Sequence, residues 1–449
     1  VQSLAIDGFR DLIACMIAGT IEPPVQKATR VALGWGRGTS TIAGLDYAVS
    51  GPAAAFANAT AAHVLDFDDS FAPLTGHPSA PIVPAILALA EELGASGEAL
   101  LDAYVVGIEV IAAVARVANP SHYAIGWHST ATIGVIGSAA ACARLLGLNT
   151  DQTTAAMSIA MSSSAGSRLQ LGSPMKSVHA GLAARDALIA ARLAAEGVTG
   201  SEEVLAGERG FQGLYTRSHA KPEAFAVASD NAPLAIMSPG ITFKPYPTCG
   251  STHRSLDALL FLKAKHGLTG ESVESVLLSI PALNVKNLIY DRPDNGLEAK
   301  FSMAYCAALA LYQGSLRLGD FDDDAIGRPQ IQALMPRIMM EATPGSEHTN
   351  KDYLELPAYT TLRLSDGTTL QDERYDRHGS LASPMSDAEH ATKFRDCAGR
   401  VFRPSDTESL LDLISNLART PDIRLFTSML RKAKKVSGAQ PRGEIHVAR

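Results

Sequence analysis

The 449-residue chain is 46% apolar and 19% charged, a globular rather than a disordered balance, and its length allows two or three domains at roughly 100–200 residues each. A formal charge of −7 excludes the broad basic field that phosphate-backbone binding needs, so no nucleic acid partner is expected. Cys15, Cys142, Cys249, Cys306 and Cys397 are odd in number and contain no CxxC pair, which predicts reduced thiols in a cytoplasmic protein rather than a disulfide framework.

Val1 to Gly19 mixes Asp7, Arg10 and Asp11 at helical spacing, which predicts a first helix and no signal peptide. Gly34-Trp-Gly-Arg-Gly38 follows a helical pattern rather than a strand, so it fails the context that a dinucleotide-binding loop requires. From Ala53 to about Lys265, apolar residues recur at helical spacing. Gly94, Gly147 and Gly197 read as helix stops, and Ser96, Thr150 and Ser201 as N-caps with acidic first turns. Ser129 to Ala143 is too short for the roughly 20 apolar residues of a membrane span and reads as a buried helix, so no membrane association is expected.

After about Phe243 the texture changes. Ser272 to Ile280 reads as a strand, and Tyr359 to Leu364, Ser365-Asp-Gly367 and Thr368 to Tyr375 as a hairpin. Glu298 to Leu311 and Arg328 to Met340 read as helices between them. Helical spacing returns over Glu408 to Leu417 and Ile423 to Arg431, and Pro, Gly and charge beyond Lys435 predict a loose end. The expected fold is mainly α: a large all-helical domain from residues 1–242 and 386–449, with a smaller α+β domain over 243–385.

No P-loop, HExxH or EF-hand pattern occurs, and the His and Cys residues lack close metal-ligand spacing, so no metal or other cofactor is expected. Basic residues gather at predicted helix starts instead. Lys176 falls in the first turn of a helix opened by Ser173 as N-cap and Pro174, where a cation opposes the helix dipole unless an anion binds beside it; the bland alternative is a solvated lysine. His77, His128 and the pair His253-Arg254 also stand at helix starts, and Lys244 precedes the last of these. A histidine in that position tends to stay neutral and available as a base, although each one taken singly reads as a cap or packing residue. Asp66-Phe-Asp-Asp69-Ser70 reads either as a solvated acidic loop or as a carboxylate that orients a histidine or lysine. Together these groups predict an anion-binding cluster, provided the fold assembles them.

The blocks Asp66-Phe-Asp-Asp69, Gly76-His-Pro-Ser79, Gly126-Trp-His-Ser129, Met175-Lys176 with His179-Ala-Gly-Leu-Ala-Ala184, Gly197-Val-Thr-Gly200 and Lys244-Pro-Tyr-Pro-Thr-Cys249 resemble, in order and spacing, the MmgE/PrpD family. The family includes 2-methylcitrate dehydratase, cis-aconitate decarboxylase and iminodisuccinate epimerase. The resemblance implies a helical domain with an α+β lid, a homodimer, and cofactor-independent proton chemistry beside a carboxylate of a small polycarboxylate. By the same resemblance Asp66, His77, His128, Lys176 and Lys244 carry over as site residues, as does Tyr290 in approximate register. Ser70 stands where a threonine is common, and His253 and Arg254 are added as substrate-binding candidates. His128 is then one acid/base, Lys176 and Lys244 hold carboxylates or one of them serves as the opposing acid/base, Asp66 and His77 orient the cluster, and Tyr290 delivers a proton. Epimerisation of iminodisuccinate is placed first. The alternatives are a dehydratase or decarboxylase and, in another class, a non-catalytic polyanion-binding protein.

Overall fold

The computed structural model describes residues 1–216, 232–346 and 356–431. The chain divides into two compact units, Val1–Phe243 with Ser386–Arg449, and Lys244–Met385. Helix dominates, as the composition predicts, and among the described residues no helix is long and apolar enough to cross a membrane. The expected loose end beyond Lys435 lies outside the described residues.

In the first unit the chain runs through α1 (Gln2–Gly19), α2 (Pro23–Leu33), β1 (Arg37–Thr41), β2 (Ala48–Val49), α3 (Gly51–His63), α4 (Ser79–Leu93) and α5 (Gly97–Ala118). It continues through α6 (Ser121–Ile125), α7 (Ser129–Thr132), α8 (Gly134–Leu145), α9 (Thr150–Met161), α10 (Met175–Ala195) and α11 (Phe211–Tyr215). Helices Asp387–Ala398, Pro404–Ser415 and Arg424–Arg431 return to this unit.

The long helix α10 packs along α3, α4, α8 and α9. Small residues make that approach possible: Ala53, Ala54, Ala55, Ala57, Ala59, Ala61 and Ala62 of α3 are all buried. A Cβ at Gly181 of α10 would lie 2.3 Å from Thr60 Oγ1 and 2.7 Å from the Phe56 carbonyl, so any side chain there would push the two helices apart.

Several local expectations need correction. The first unit is not all-helical, because the glycine cluster after α2 leads into β1, which pairs antiparallel with β2. The order is helix then strand, the reverse of a dinucleotide loop. Ser96 does cap α5 by accepting from Ala99 N, but α9 is capped by Asn149 in a reciprocal box with Gln152, so Thr150 is already helical. Ser201 opens no helix, since residues 201–210 run as turns interrupted by Gly207 and Gly210. Ser173 Oγ donates to the Gln170 carbonyl at 2.9 Å and does not cap α10, whose N-cap position is Pro174. The buried segment 129–143 is broken at Ile133 into α7 and α8.

The second unit carries a four-stranded mixed sheet. Its central strand β3 (Val273–Ile280) pairs parallel with β4 (Ile338–Ala342) and antiparallel with β5 (Ala358–Leu364), which forms the expected hairpin with β6 (Thr369–Arg374). Val276, Leu278 and Ile280 point to the core at alternating positions, and Val273 joins them across an irregularity in the register with β5. There they meet Leu256, Leu259 and Leu262 of helix α12 (His253–His266) and the apolar face of helix Met303–Gln313. The helix expected over Glu298–Leu311 starts afresh at Ser302, whose Oγ accepts from Tyr305 N at 3.2 Å. The one expected over Arg328–Met340 covers only Pro329–Leu334, followed by a tight turn over Met335–Arg337. Pro336 restricts the residue before it, and Ile338-Met-Met-Glu-Ala finds β3 as a partner.

Candidate active site

Between α3 and α4 the chain turns through the acidic loop 64–78, with Asp66 in left-handed backbone at φ 53°. Such a conformation suits Asp better than most residues and needs support from its surroundings. That support comes from below. Lys393 lies 2.6 Å from Asp11 Oδ1, donates to the Phe67 carbonyl at 2.7 Å, and stands 3.9 Å from the centroid of the Phe67 ring. A buried cation paired in this way pins the loop from the helix Asp387–Ala398.

The three carboxyls of the loop are buried and sit in different environments. Asp66 Oδ1 accepts from Lys176 Nζ at 2.6 Å and lies 3.7 Å from His77 Nε2. Asp68 Oδ2 accepts from His63 Nδ1 at 2.7 Å and lies 3.3 Å from His77 Nδ1. Burial opposes the Asp68 charge, but His63 and His77 hold its carboxyl well below the ordinary range. Burial also pushes the His63 ring down to about 4 against the pull of Asp68, so a neutral His63 donates to an ionised Asp68. Asp69 is the opposite case: burial first, and Asp11 second, drive its carboxyl well above the ordinary range, and Ser79 Oγ donates to it. One acidic run therefore holds carboxyls, Asp68 and Asp69, whose surroundings push them in opposite directions.

His128, at the N-cap position of α7, stands on the other side of this cluster. Its ring stacks on His63 with centroids 5.7 Å apart, and its Nδ1 lies 3.2 Å from Nδ1 of His179 on α10. Burial, then His63, then Lys176 press the His128 ring well below its ordinary value, so it is neutral near pH 7. Among the described residues neither Nε2 of His128 nor Nε2 of His179 has a hydrogen-bond partner. By contrast, both ring nitrogens of His77 approach carboxylates. The backbone binds the cluster together, as His77 N donates to Thr130 Oγ1 at 3.1 Å and His128 N donates to the Gly166 carbonyl at 2.9 Å.

His63, Asp68 and His77 each offer a ligand atom, all within 4.8 Å of one another, and so could receive a divalent ion. Spacing argues for hydrogen bonding instead. Two ligands held about 2.0–2.1 Å from a tetrahedral zinc lie about 3.3 Å apart, whereas His63 Nδ1 and Asp68 Oδ2 are 2.7 Å apart.

The MmgE/PrpD N-terminal domain matches residues 1–223 and the MmgE/PrpD C-terminal domain matches residues 246–419. The chain belongs to the MmgE/PrpD family. It is 31% identical over 390 residues to a human (Homo sapiens) cis-aconitate decarboxylase, covering 84% of this chain and 79% of that protein. A cis-aconitate decarboxylase of Mus musculus is 29% identical over 391 residues (84% and 78%), and one of Aspergillus terreus 26% over 451 residues (95% and 90%). The chain is thus an MmgE/PrpD-family enzyme, of isomerase or lyase type.

Of the residues singled out in the sequence of this MmgE/PrpD enzyme, the first unit gathers Asp66, His77, His128 and Lys176. Ser70 lies in the same loop, but its backbone bridges to Thr242 and its hydroxyl donates weakly to the Thr242 carbonyl at 3.5 Å. Lys244, Tyr290, His253 and Arg254 belong to the second unit. Lys244 is buried and Tyr290 half-buried. His253 is buried with Nε2 3.3 Å from the Thr248 carbonyl, and Arg254 donates to the carbonyls of Leu356 and Tyr375. His63, His179 and Lys393 were not among the residues expected at the site. His63 directly precedes the acidic loop, a signal that was there to use; Lys393 carries no local signal.

Proposed function

We propose that the chain is a cofactor-independent decarboxylase of a small unsaturated tricarboxylate of the cis-aconitate type. The relatives named above support this choice among the family's reactions. None of those relatives is an epimerase by name, so the epimerisation placed first by the sequence yields to the decarboxylase alternative.

In this reaction the bond from the CH2 carbon to its carboxylate breaks, and its electron pair forms a new C=C bond. The old double-bond pair moves to the carbon beside the distal carboxylate, where a proton from the enzyme is added. Carbon dioxide leaves and methylidenesuccinate remains. Charge builds on an enolate-like group beside a carboxylate, so the site needs fixed cations there and one acid.

The observation that carries the reading is the unequal backing of two imidazoles beside Lys176. His77 is held between Asp66 and Asp68, while His128 is neutral, with Nδ1 against His179 and Nε2 left to exchange a proton. We assign His128 Nε2 as the proton donor and Lys176 as a carboxylate-binding cation. Asp66 and Asp68 orient Lys176 and His77. A polyanion-binding protein would need the cations but not a neutral imidazole prepared in this way. For Lys244 and Tyr290 the family resemblance is the support, and replacing each tests whether the second unit serves the same reaction.

The test is incubation with cis-aconitate in heavy water, with carbon dioxide collected and the product read by NMR. Expected are stoichiometric release and one deuterium on the new CH2 beside a carboxylate. Inversion of iminodisuccinate, or water loss from 2-methylcitrate, without carbon dioxide release from cis-aconitate would reject the decarboxylase reading.

A further inference from the structure

A neutral imidazole is a poor acid by itself, since surrendering Nε2–H alone leaves an imidazolate. The opposite route, through imidazolium, is disfavoured at His128 by burial, by His63 and by the neighbouring Lys176. Either way the ring must exchange its two protons together, and the group at Nδ1 decides whether it can.

That group is His179, 3.2 Å away through its own Nδ1. Two imidazole Nδ1 atoms can share a hydrogen bond in one way only, with a single proton between them: one ring donates and the other accepts. With the proton on His179, His128 accepts at Nδ1 and carries its own proton on Nε2. With the proton on His128, its Nε2 is bare. The pair is therefore a two-state element in which the His179 tautomer dictates whether His128 Nε2 is an acid or a base. Its geometry is built in, because His179 is buried on α10, the backbone of His128 is held by the bond from its own N to the Gly166 carbonyl, and the His128 ring stacks on His63. At Gly166 a Cβ would lie 3.3 Å from His179 Nδ1. Lys176, His63 and His77 also face His128, and all bear on keeping the shared proton count at one.

We propose that His179 is a positioning residue that relays a proton to His128, so that His128 gives up its Nε2 proton while Nδ1 is reprotonated and neither ring becomes charged. The proton leaves His128 Nε2 for the substrate carbon, the shared proton crosses from His179 Nδ1 to His128 Nδ1, and His179 Nε2 takes one from solvent water. After product leaves, the reverse flow from solvent resets the pair. This rests on the reading of His128 as the proton donor.

The experiment compares His179→Gln and His128→Gln with the parent enzyme in mixtures of light and heavy water, with cis-aconitate as the probe. A relay moves several protons in one step, so the parent plot of kcat against deuterium fraction is curved. His179→Gln, which keeps a hydrogen bond at Nδ1 but cannot pass a proton through, should give a straight line, an unchanged KM, and a kcat lower by roughly 10²-fold. In parallel, 15N spectra of the folded parent at neutral pH should show one Nδ1–H across the two rings. Both rings protonated at Nε2 alone, or His179→Gln with parental kcat and curvature while His128→Gln is inactive, would overturn the relay and leave the donor assignment standing. Parental turnover by His128→Gln would overturn the donor assignment itself.

Discussion

Lys176 Nζ donates to Asp66 Oδ1 at 2.6 Å, joining residues 110 positions apart at the start of α10 and in the acidic loop. Both side chains are nearly buried, at 14% and 11% exposure, so the pair is weakly screened. A substrate carboxylate approaching Lys176 must share it with Asp66, which holds the ammonium group in place. Lys176→Ala should therefore weaken tricarboxylate binding by about 10–100-fold, the value of a charge-assisted hydrogen bond, measured as Kd by calorimetry. Asp66→Asn should lower kcat more than it raises Kd, because the cation remains but its placement is lost. Equal affinity for the substrate in Lys176→Ala and the parent would remove Lys176 from the binding role.

Acid should destabilise the folded protein well above the carboxylate range. Burial pushes the rings of His63, His122 and His390 down to about 4 in the folded state, against about 6.5 in the unfolded chain. Between those values the unfolded state binds protons that the folded state refuses, so stability falls as pH falls. Each ring contributes up to about 1.4 kcal/mol per pH unit at full effect. Asp68 adds nothing in this window: its lowered pKa supports the fold above the ordinary carboxylate range and is lost only at lower pH. Thermal melts from pH 7 to 4.5 should show a steady drop in Tm, partly removed in His122→Gln. Asp69 acts in the opposite sense, because its raised pKa lets the folded state take up a proton as pH falls, so the deciding comparison is the parent with His122→Gln: equal slopes would contradict a buried neutral His122.

The residues legible in the sequence are those whose role follows from a local feature. Lys176 in a first turn, His128 and His77 at helix starts, and the acidic run at 66–69 each announce a conflict with the helix dipole or with solvation. His179 announces nothing, because it lies within α10 and matters only through a neighbour 51 positions away. Arg254 shows the converse: it stands at a helix start as Lys176 does, yet its guanidinium is engaged by two backbone carbonyls. The same division runs through the fold. The hairpin of β5 and β6 was legible from its turn, whereas β4 becomes a strand because β3 offers it an edge.

Chelation should leave turnover intact. Asp68 Oδ1 and His63 Nε2 are buried without a hydrogen-bond partner among the described residues, and that favours an ion. Against it stands the short contact between His63 and Asp68, which is a hydrogen bond by length. Prolonged treatment with a strong chelator, followed by metal analysis and assay, decides between them. Loss of activity restored by one divalent ion would make His63, Asp68 and His77 ligands and replace the metal-free chemistry.

Gly166 should be a sensitive glycine beside the two rings. Its φ of 137° lies where side chains are rarely tolerated, and a Cβ would approach both Ala131 Cβ and His179 Nδ1 at 3.3 Å. Its carbonyl also accepts from His128 N, so one residue fixes the backbone of one ring and leaves room for the other. Gly166→Ala should cost about 1–3 kcal/mol of stability from backbone strain, and it should also move His179 away from His128. The two effects separate on measurement: a stabilised background or lower assay temperature restores the fold but not the proton-sharing geometry. Turnover by folded Gly166→Ala should then stay near that of His179→Gln, with the same straight plot in mixed water. Full recovery of kcat once folding is restored would show that the spacing of the two rings does not govern the chemistry.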